Sequence, residues 1–142
     1  MSDPGNDPGP QDPAAVALML DELETWAVVG LSDDPSRTAW RIAQLLQQRG
    51  KRIVPVHPKA PTVHGEQGYA SLADVPFPID VVDVFRRSEF AGAVVDEAIA
   101  VGAKGVWLQL GVVDQEAIDR ARAAGLVAVM DTCPAIEWNR RG

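Results

Sequence analysis

Gly30-Leu31-Ser32, followed by Ser36, Arg37 and Thr38, assembles the residue types that cradle an anion. A glycine lets the backbone come close, and hydroxyls and a helix start aim N–H groups outward. Four later clusters carry further chemistry: His57-Pro58-Lys59, Phe85-Arg86-Arg87, Gln109 with Gly111, and Asp131-Thr132-Cys133. Arginine pairs with phosphate or stacks on a ring, and Phe85 can cover a ring face or an aliphatic chain. Gly111 suits close approach of a ligand to the backbone, and a nucleophilic Cys133 would need a base or cation beside it. Each cluster also has a plain reading. Gly30 and Ser32 make a tight turn with a capping serine, Lys59 is a solvated loop lysine, Phe85 is core with surface arginines, and Cys133 is a small buried hydrophobe. Neither G-x-G-x-x-G nor G-x-x-x-x-G-K-[ST] occurs, and Asp33 and Asp34 oppose a phosphate unless they face solvent. Two histidines with no HxxxH or CxxC spacing point to no metal site.

The elements that must position these clusters form a repeated plan. Short β-branched runs at Trp26–Gly30, Arg52–Val56, Ile79–Phe85, Gly105–Leu110 and Leu126–Met130 alternate with amphipathic segments that stop at glycine. A leading helix is expected from Ala14 to about Glu24. Further helices are expected near Thr38 to Arg49, from cap Ser88 to Gly102, and from cap Asp114 to Gly125. Ser71–Asp74 reads as one helical turn in an otherwise loop-like stretch between Pro58 and Pro78, and Pro134 starts a short closing helix. Strands such as IDVVDVF and GVWLQL are nearly continuous in apolar residues, as in sheets covered on both faces. The expected fold is a doubly wound, mostly parallel α/β sheet of five strands or slightly more. Every cluster named above then follows a strand, at the carboxyl ends where open sheets bind ligands.

Composition bounds the partners. The 142 residues hold 13 Lys+Arg and 20 Asp+Glu, a net charge of −7, and one cysteine. One thiol makes no internal disulfide, which fits a cytoplasmic protein held by an ordinary core. The sequence shows no secretory signal or membrane span, and its acidic balance argues against nucleic-acid and anionic-membrane partners. Residues 1–13 contain four prolines and three aspartates but no aromatic or branched aliphatic residue. They read as a disordered tail preceding a single domain at 14–142.

The end of the second strand narrows the ligand. Dinucleotide folds that take NAD place an acidic residue here for the ribose 2′-OH, whereas this chain has His57-Pro58-Lys59. A cation suits a phosphorylated ribose, and both NADP and coenzyme A carry one.

The blocks AVVGLSDDPSRTAWRIAQLLQQRGKRIVPVHPK, YASLADVPFPIDVVDVFRR, GAKGVWLQLGVV and MDTCPAIEW occur in order over about residues 25–140. They resemble the small stand-alone CoA-binding proteins related to the nucleotide-binding domain of the succinyl-CoA synthetase alpha chain. The resemblance implies a Rossmann-like domain that binds coenzyme A or an acyl-CoA. It implies Gly30, Ser32, Ser36, Arg37 and Thr38 at the phosphates and Lys59, after His57 and Pro58, at the 3′-phosphate. Val84, Phe85 and Arg86 would lie along the adenine and pantetheine path, with Gln109 and Gly111 across the crevice. Family members often carry asparagine where this chain has His57. The ATP-grasp and phosphohistidine regions of the related synthetases find no place in these blocks, so a non-catalytic role is expected. An NADP-dependent oxidoreductase and a thiol-linked CoA carrier using Cys133 are the alternatives. A homodimer through an edge strand or an exposed helix also fits.

Overall fold

The computed structural model describes residues 9–141. A five-stranded parallel sheet has the order β2-β1-β3-β4-β5, built from β1 (Thr25–Val29), β2 (Arg52–Val56), β3 (Val81–Val84), β4 (Gly105–Leu108) and β5 (Val127–Val129). Helices α1 (Pro13–Glu22), α2 (Thr38–Gln48) and α5 (Pro134–Arg140) cover one face; α3 (Ser88–Ala100) and α4 (Gln115–Ala123) cover the other. Alternate strand residues feed the two cores. Trp26, Val28, Val81, Trp107 and Val129 pack under α1, α2 and α5, and Ala27, Val82, Val84, Val106 and Ala128 pack under α3 and α4. This two-sided burial is what the apolar strands call for.

The sequence expectations hold for the five strands, the helices, the turn at Leu72–Asp74 and the glycine stops. Gly50, Gly102 and Gly125 adopt positive φ. Four details differ. Ser88 is the first residue of α3, not its cap, and its hydroxyl accepts from the Val113 N–H at 2.9 Å, because the β4–α4 loop brings that donor within reach. The fourth strand ends at Leu108, since Gly111 turns the chain at φ +84° and leaves Leu110 62% exposed. Of the expected tail, residues 1–8 lie outside the described residues. Residues 9–12 are anchored instead: Pro10 O accepts from Met130 N at 2.8 Å, Gln11 Nε2 donates to Asp131 O at 2.8 Å, and Asp12 caps α1. Val84, expected along the ligand path, is fully buried in the α3/α4 core, because the residue before it, Asp83, takes the opposite face.

Both sheet edges are covered. On β2, Pro55 has no N–H, its carbonyl accepts from Tyr69 N at 2.9 Å, and His57 N donates to Tyr69 O at 3.0 Å. On β5, Arg122 donates to Ala128 O at 3.1 Å, and Pro10 and Gln11 engage Met130.

At the amino-terminal end of the sheet, Asp80 clasps three strands. Its Oδ2 accepts from Glu24 N and Thr25 N, each at 3.1 Å, its carbonyl accepts from Lys104 N and Gly105 N, each at 2.9 Å, and Lys104 Nζ lies 3.5 Å from Oδ1. Burial pushes this carboxyl up, but the two N–H bonds and Lys104 outweigh it and hold the group below its ordinary 3.8. A depressed carboxylate stabilises the fold above its unfolded value, and that contribution is lost as pH falls through the folded value. Asp80→Asn is therefore expected to cost about 1–3 kcal/mol at pH 7. Its gap to the parent chain should close as the pH drops below about 4; urea unfolding at pH 7 and pH 3 checks both.

Candidate functional site

Strand order reverses between β1 and β3, so the loops leaving them part to opposite faces and open a crevice. Gly30 makes that parting sterically feasible. Its φ is +97°, its N–H donates to Val56 O at 2.8 Å, and a Cβ built on it would stand 2.7 Å from the Phe85 carbonyl. The chain then runs to α2, whose cap position, Arg37, makes no side-chain cap bond. The helix start thus keeps its first N–H groups for the crevice, and Thr38 and Ala39 line it.

The crevice has two compartments. The first, about 730 Å³, is lined by Gly30, Ser32, Ser36, Arg37 and Thr38 on one wall, His57 and Pro58 on the second, and Phe85 and Arg86 on the third. The second, about 490 Å³, is lined by Gln109, Gly111, Cys133, Leu110, Val112 and Ile136, with Arg87 also on its wall. Thr38, Phe85 and Arg86 belong to both, so the two adjoin. Most residues singled out by sequence meet here. Lys59 is exposed, lies one residue beyond Pro58 and lines neither compartment. Its N–H donates to His57 Nδ1 at 3.1 Å, which makes Nε2 the donor end of the neutral ring.

The acidic loop is tied into its own structure. Asp34 Oδ1 accepts from Ser36 N at 3.0 Å and Ser36 Oγ at 2.7 Å, and Arg37 Nε lies 3.7 Å from Oδ2. The Ser36 hydroxyl bond, joined by the Ser36 N–H and Arg37, holds the Asp34 carboxyl low. Asp33 accepts from Trp40 Nε1 at 3.2 Å, and neither aspartate lines the crevice. Arg86 and Arg87 stack on Phe90, at 5.1 and 5.6 Å from its ring centre.

Sequence reasoning missed Ala70, Ser71, Val94 and Glu97, which also line the first compartment. Ala70 and Ser71 arrive because Tyr69 bridges to Val56 beside β2; nothing in the Pro-rich stretch announced that bridge. It also missed Asp83. This central-strand carboxyl is fully buried, receives a bond from Gln109 Nε2 at 2.6 Å, and has Oδ2 without a partner among the described residues. Burial pushes it up to about 8 against the lowering bond from Gln109. An aspartate in the middle of an apolar strand was the available signal. Gly111 is explained by its positive φ, not by close approach: a Cβ there meets open space, and its N–H donates to Asp131 Oδ1 at 2.8 Å. Cys133 is 8% exposed, and burial first, then the nearby Asp83 and Glu137, push its thiol up against two backbone bonds. His57 stands in the other compartment. Among the described residues, no helix is long and apolar enough to cross a membrane.

Comparison with known proteins adds the context. Residues 24–139 match the model of a CoA binding domain. The uncharacterized protein YneT of Bacillus subtilis is 37% identical over 120 residues, covering 84% of this chain and 89% of that protein. The alpha subunit of an ADP-forming acetate–CoA ligase II of Pyrococcus furiosus is 27% identical over 81 residues, which span 56% of this chain and only 18% of that subunit. A solved hypothetical protein of Pyrococcus horikoshii superimposes with a TM-score of 0.83 at 35% identity, covering 89% of each chain.

Two outcomes test the geometry. Gly30→Ala is expected to destabilise by about 2–3 kcal/mol in urea unfolding, from the strained φ and the contact with Phe85 O. A carboxyl raised to about 8 keeps its proton in the folded chain where the unfolded chain releases it, so stability declines from about pH 4 to about pH 8. Asp83→Asn lacks that decline. Its stability relative to the parent should rise steadily between pH 5 and pH 8.5; a constant difference shows Asp83 to be charged when folded.

Proposed function

Since this chain belongs to the CoA-binding domain family, we propose that it binds coenzyme A or an acyl-CoA in the crevice at the carboxyl ends of β1 and β3, without catalysis of its own. The observation that supports this reading is that the two compartments lie side by side, sharing Thr38, Phe85 and Arg86. A nucleotide with a long flexible arm suits a large polar chamber beside a smaller, more apolar one, and the crevice offers that pair.

In the first compartment the start of α2, the Gly30 turn and Arg37 meet the diphosphate, using the partial positive charge of the helix end together with a guanidinium. Binding exchanges Asp34 for phosphate at Ser36 and Arg37. Arg86 and Phe85 flank the passage, and His57 offers its Nε2 hydrogen. Lys59 sits outside the wall, where its four-carbon stem reaches a phosphate on the ribose as a mobile point charge. The pantetheine arm passes Phe85 into the second compartment.

Calorimetry of the full chain with CoA, dephospho-CoA and NADP tests this. CoA is expected to bind tightest, and Lys59→Ala to weaken CoA about threefold to tenfold while leaving dephospho-CoA unchanged. Tighter binding of NADP than of CoA would favour a nicotinamide-dependent oxidoreductase instead. Equal affinity for CoA and dephospho-CoA would remove Lys59 from the site.

A further inference from the structure

Asp83 and Gln109 form a buried polar pair, of which Gln109 lines the second compartment. Asp83 is on β3, between Val28 of β1 and Trp107 of β4 in the sheet register. Ala39, Ile42 and Ala43 of α2 are buried in the core on that face, and Cys133, at the start of α5, contributes a thiol. Among the described residues no lysine, arginine or histidine forms an ion pair with Asp83, and its Oδ2 has no hydrogen bond. An isolated carboxylate in such a place is costly, and the group sheds that cost by holding a proton.

A neutral carboxyl has a hydroxyl that must donate. Among the described residues, the polar side chain bonded to Asp83 is the amide of Gln109, 2.6 Å away. Nε2 is the atom that stands at this separation from Asp83 Oδ1, and since the two ends of an amide are nearly alike in shape, the proton on Asp83 decides which of them belongs there. The two ends of the amide exchange by a half-turn of its terminal torsion, and the charge of Asp83 selects between them. With Asp83 ionised, Nε2 donates to it and the amide oxygen faces the compartment. With Asp83 neutral, the amide oxygen accepts from the carboxyl and the NH₂ faces the compartment.

Gln109 lines that compartment beside Phe85, Leu110, Val112 and Ile136. Resting on the reading that the crevice binds CoA, we propose that neutral Asp83 turns the Gln109 amide so that its NH₂ receives the carbonyl oxygen of a thioester, making the second compartment the seat of a short, uncharged acyl group. The protein is thereby a reader of acyl-CoA as distinct from free CoA. The apolar walls accept the acyl carbons, and the amide supplies the donor that only the acylated ligand uses at that point. Asp83 acts through Gln109 and is a positioning residue.

Calorimetry with acetyl-CoA and CoA at pH 7 and pH 9.5 tests the proposal. Gln109→Leu is expected to weaken acetyl-CoA about tenfold and CoA less than twofold. In the parent chain acetyl-CoA should weaken severalfold as the pH rises through the titration of Asp83. Cys133→Ala should keep that pH dependence, which excludes the thiol as its source. Asp83→Asn should lose it, because an asparagine NH₂ donates to the Gln109 oxygen at every pH. Equal weakening of both ligands by Gln109→Leu overturns the proposal, as does a flat pH profile in the parent chain, which needs no variant to fold. If CoA binds but acetyl-CoA does not, the acyl seat fails while the CoA reading stands. If neither ligand binds, the reading beneath it has failed.

Discussion

The approach of Gly30 to the Phe85 carbonyl governs the upper end of this molecule. Two neighbouring parallel strands end side by side, and their chains must leave in opposite directions: one toward α2, the other toward α3. A side chain at position 30 would occupy the space taken by that carbonyl. Because nothing is there, the loop after β1 hugs β3, and α2 starts close enough for its N-terminus to form a wall of the crevice. The compartments, the residues they share and the placement of Arg37 all depend on that one steric allowance.

The two aspartates of the third strand region show how differently one fold can treat the same chemical group. Asp80, at the lower end, is surrounded by backbone donors and a lysine, and serves as a fastener for three strands. Asp83, three residues on, is given burial and a single amide. A fully bonded carboxylate contributes to stability; an incompletely bonded one is a standing cost, tolerated where it sets the chemistry of a neighbour. What sets Asp83 apart is that the side chain bonded to it, Gln109, lines the second compartment.

Much of this was legible in the chain. The five apolar runs, the glycines that close α2, α3 and α4, and the strand-end clusters placed most of the crevice, because each is a local signal with a local cause. What escaped depends on contacts between distant segments. Ser71 reaches the crevice through the pairing of Tyr69 with β2, and Gly9 to Asp12 are ordered by the end of β5, although their composition reads as a tail. Val84, expected along the ligand path, is buried under α3 and α4, since a period of two along a strand leaves the choice of face to the packing of helices. The environment of Cys133 was equally invisible: its neighbours Asp83 and Glu137 come from β3 and α5.

The coverage of the sheet edges bears on how copies of this chain can meet. Strands at the rim of a sheet ordinarily invite a further strand from another molecule. On β2, Pro55 offers no donor and Tyr69 already takes its acceptor; on β5, Arg122, Pro10 and Gln11 occupy the corresponding groups. Extension of the sheet from one copy into the next therefore has to evict part of the chain's own fold. A pairing of copies that leaves the fold intact would use side chains away from the sheet edges, where the contact is set by shape and charge and is free of the backbone ladder.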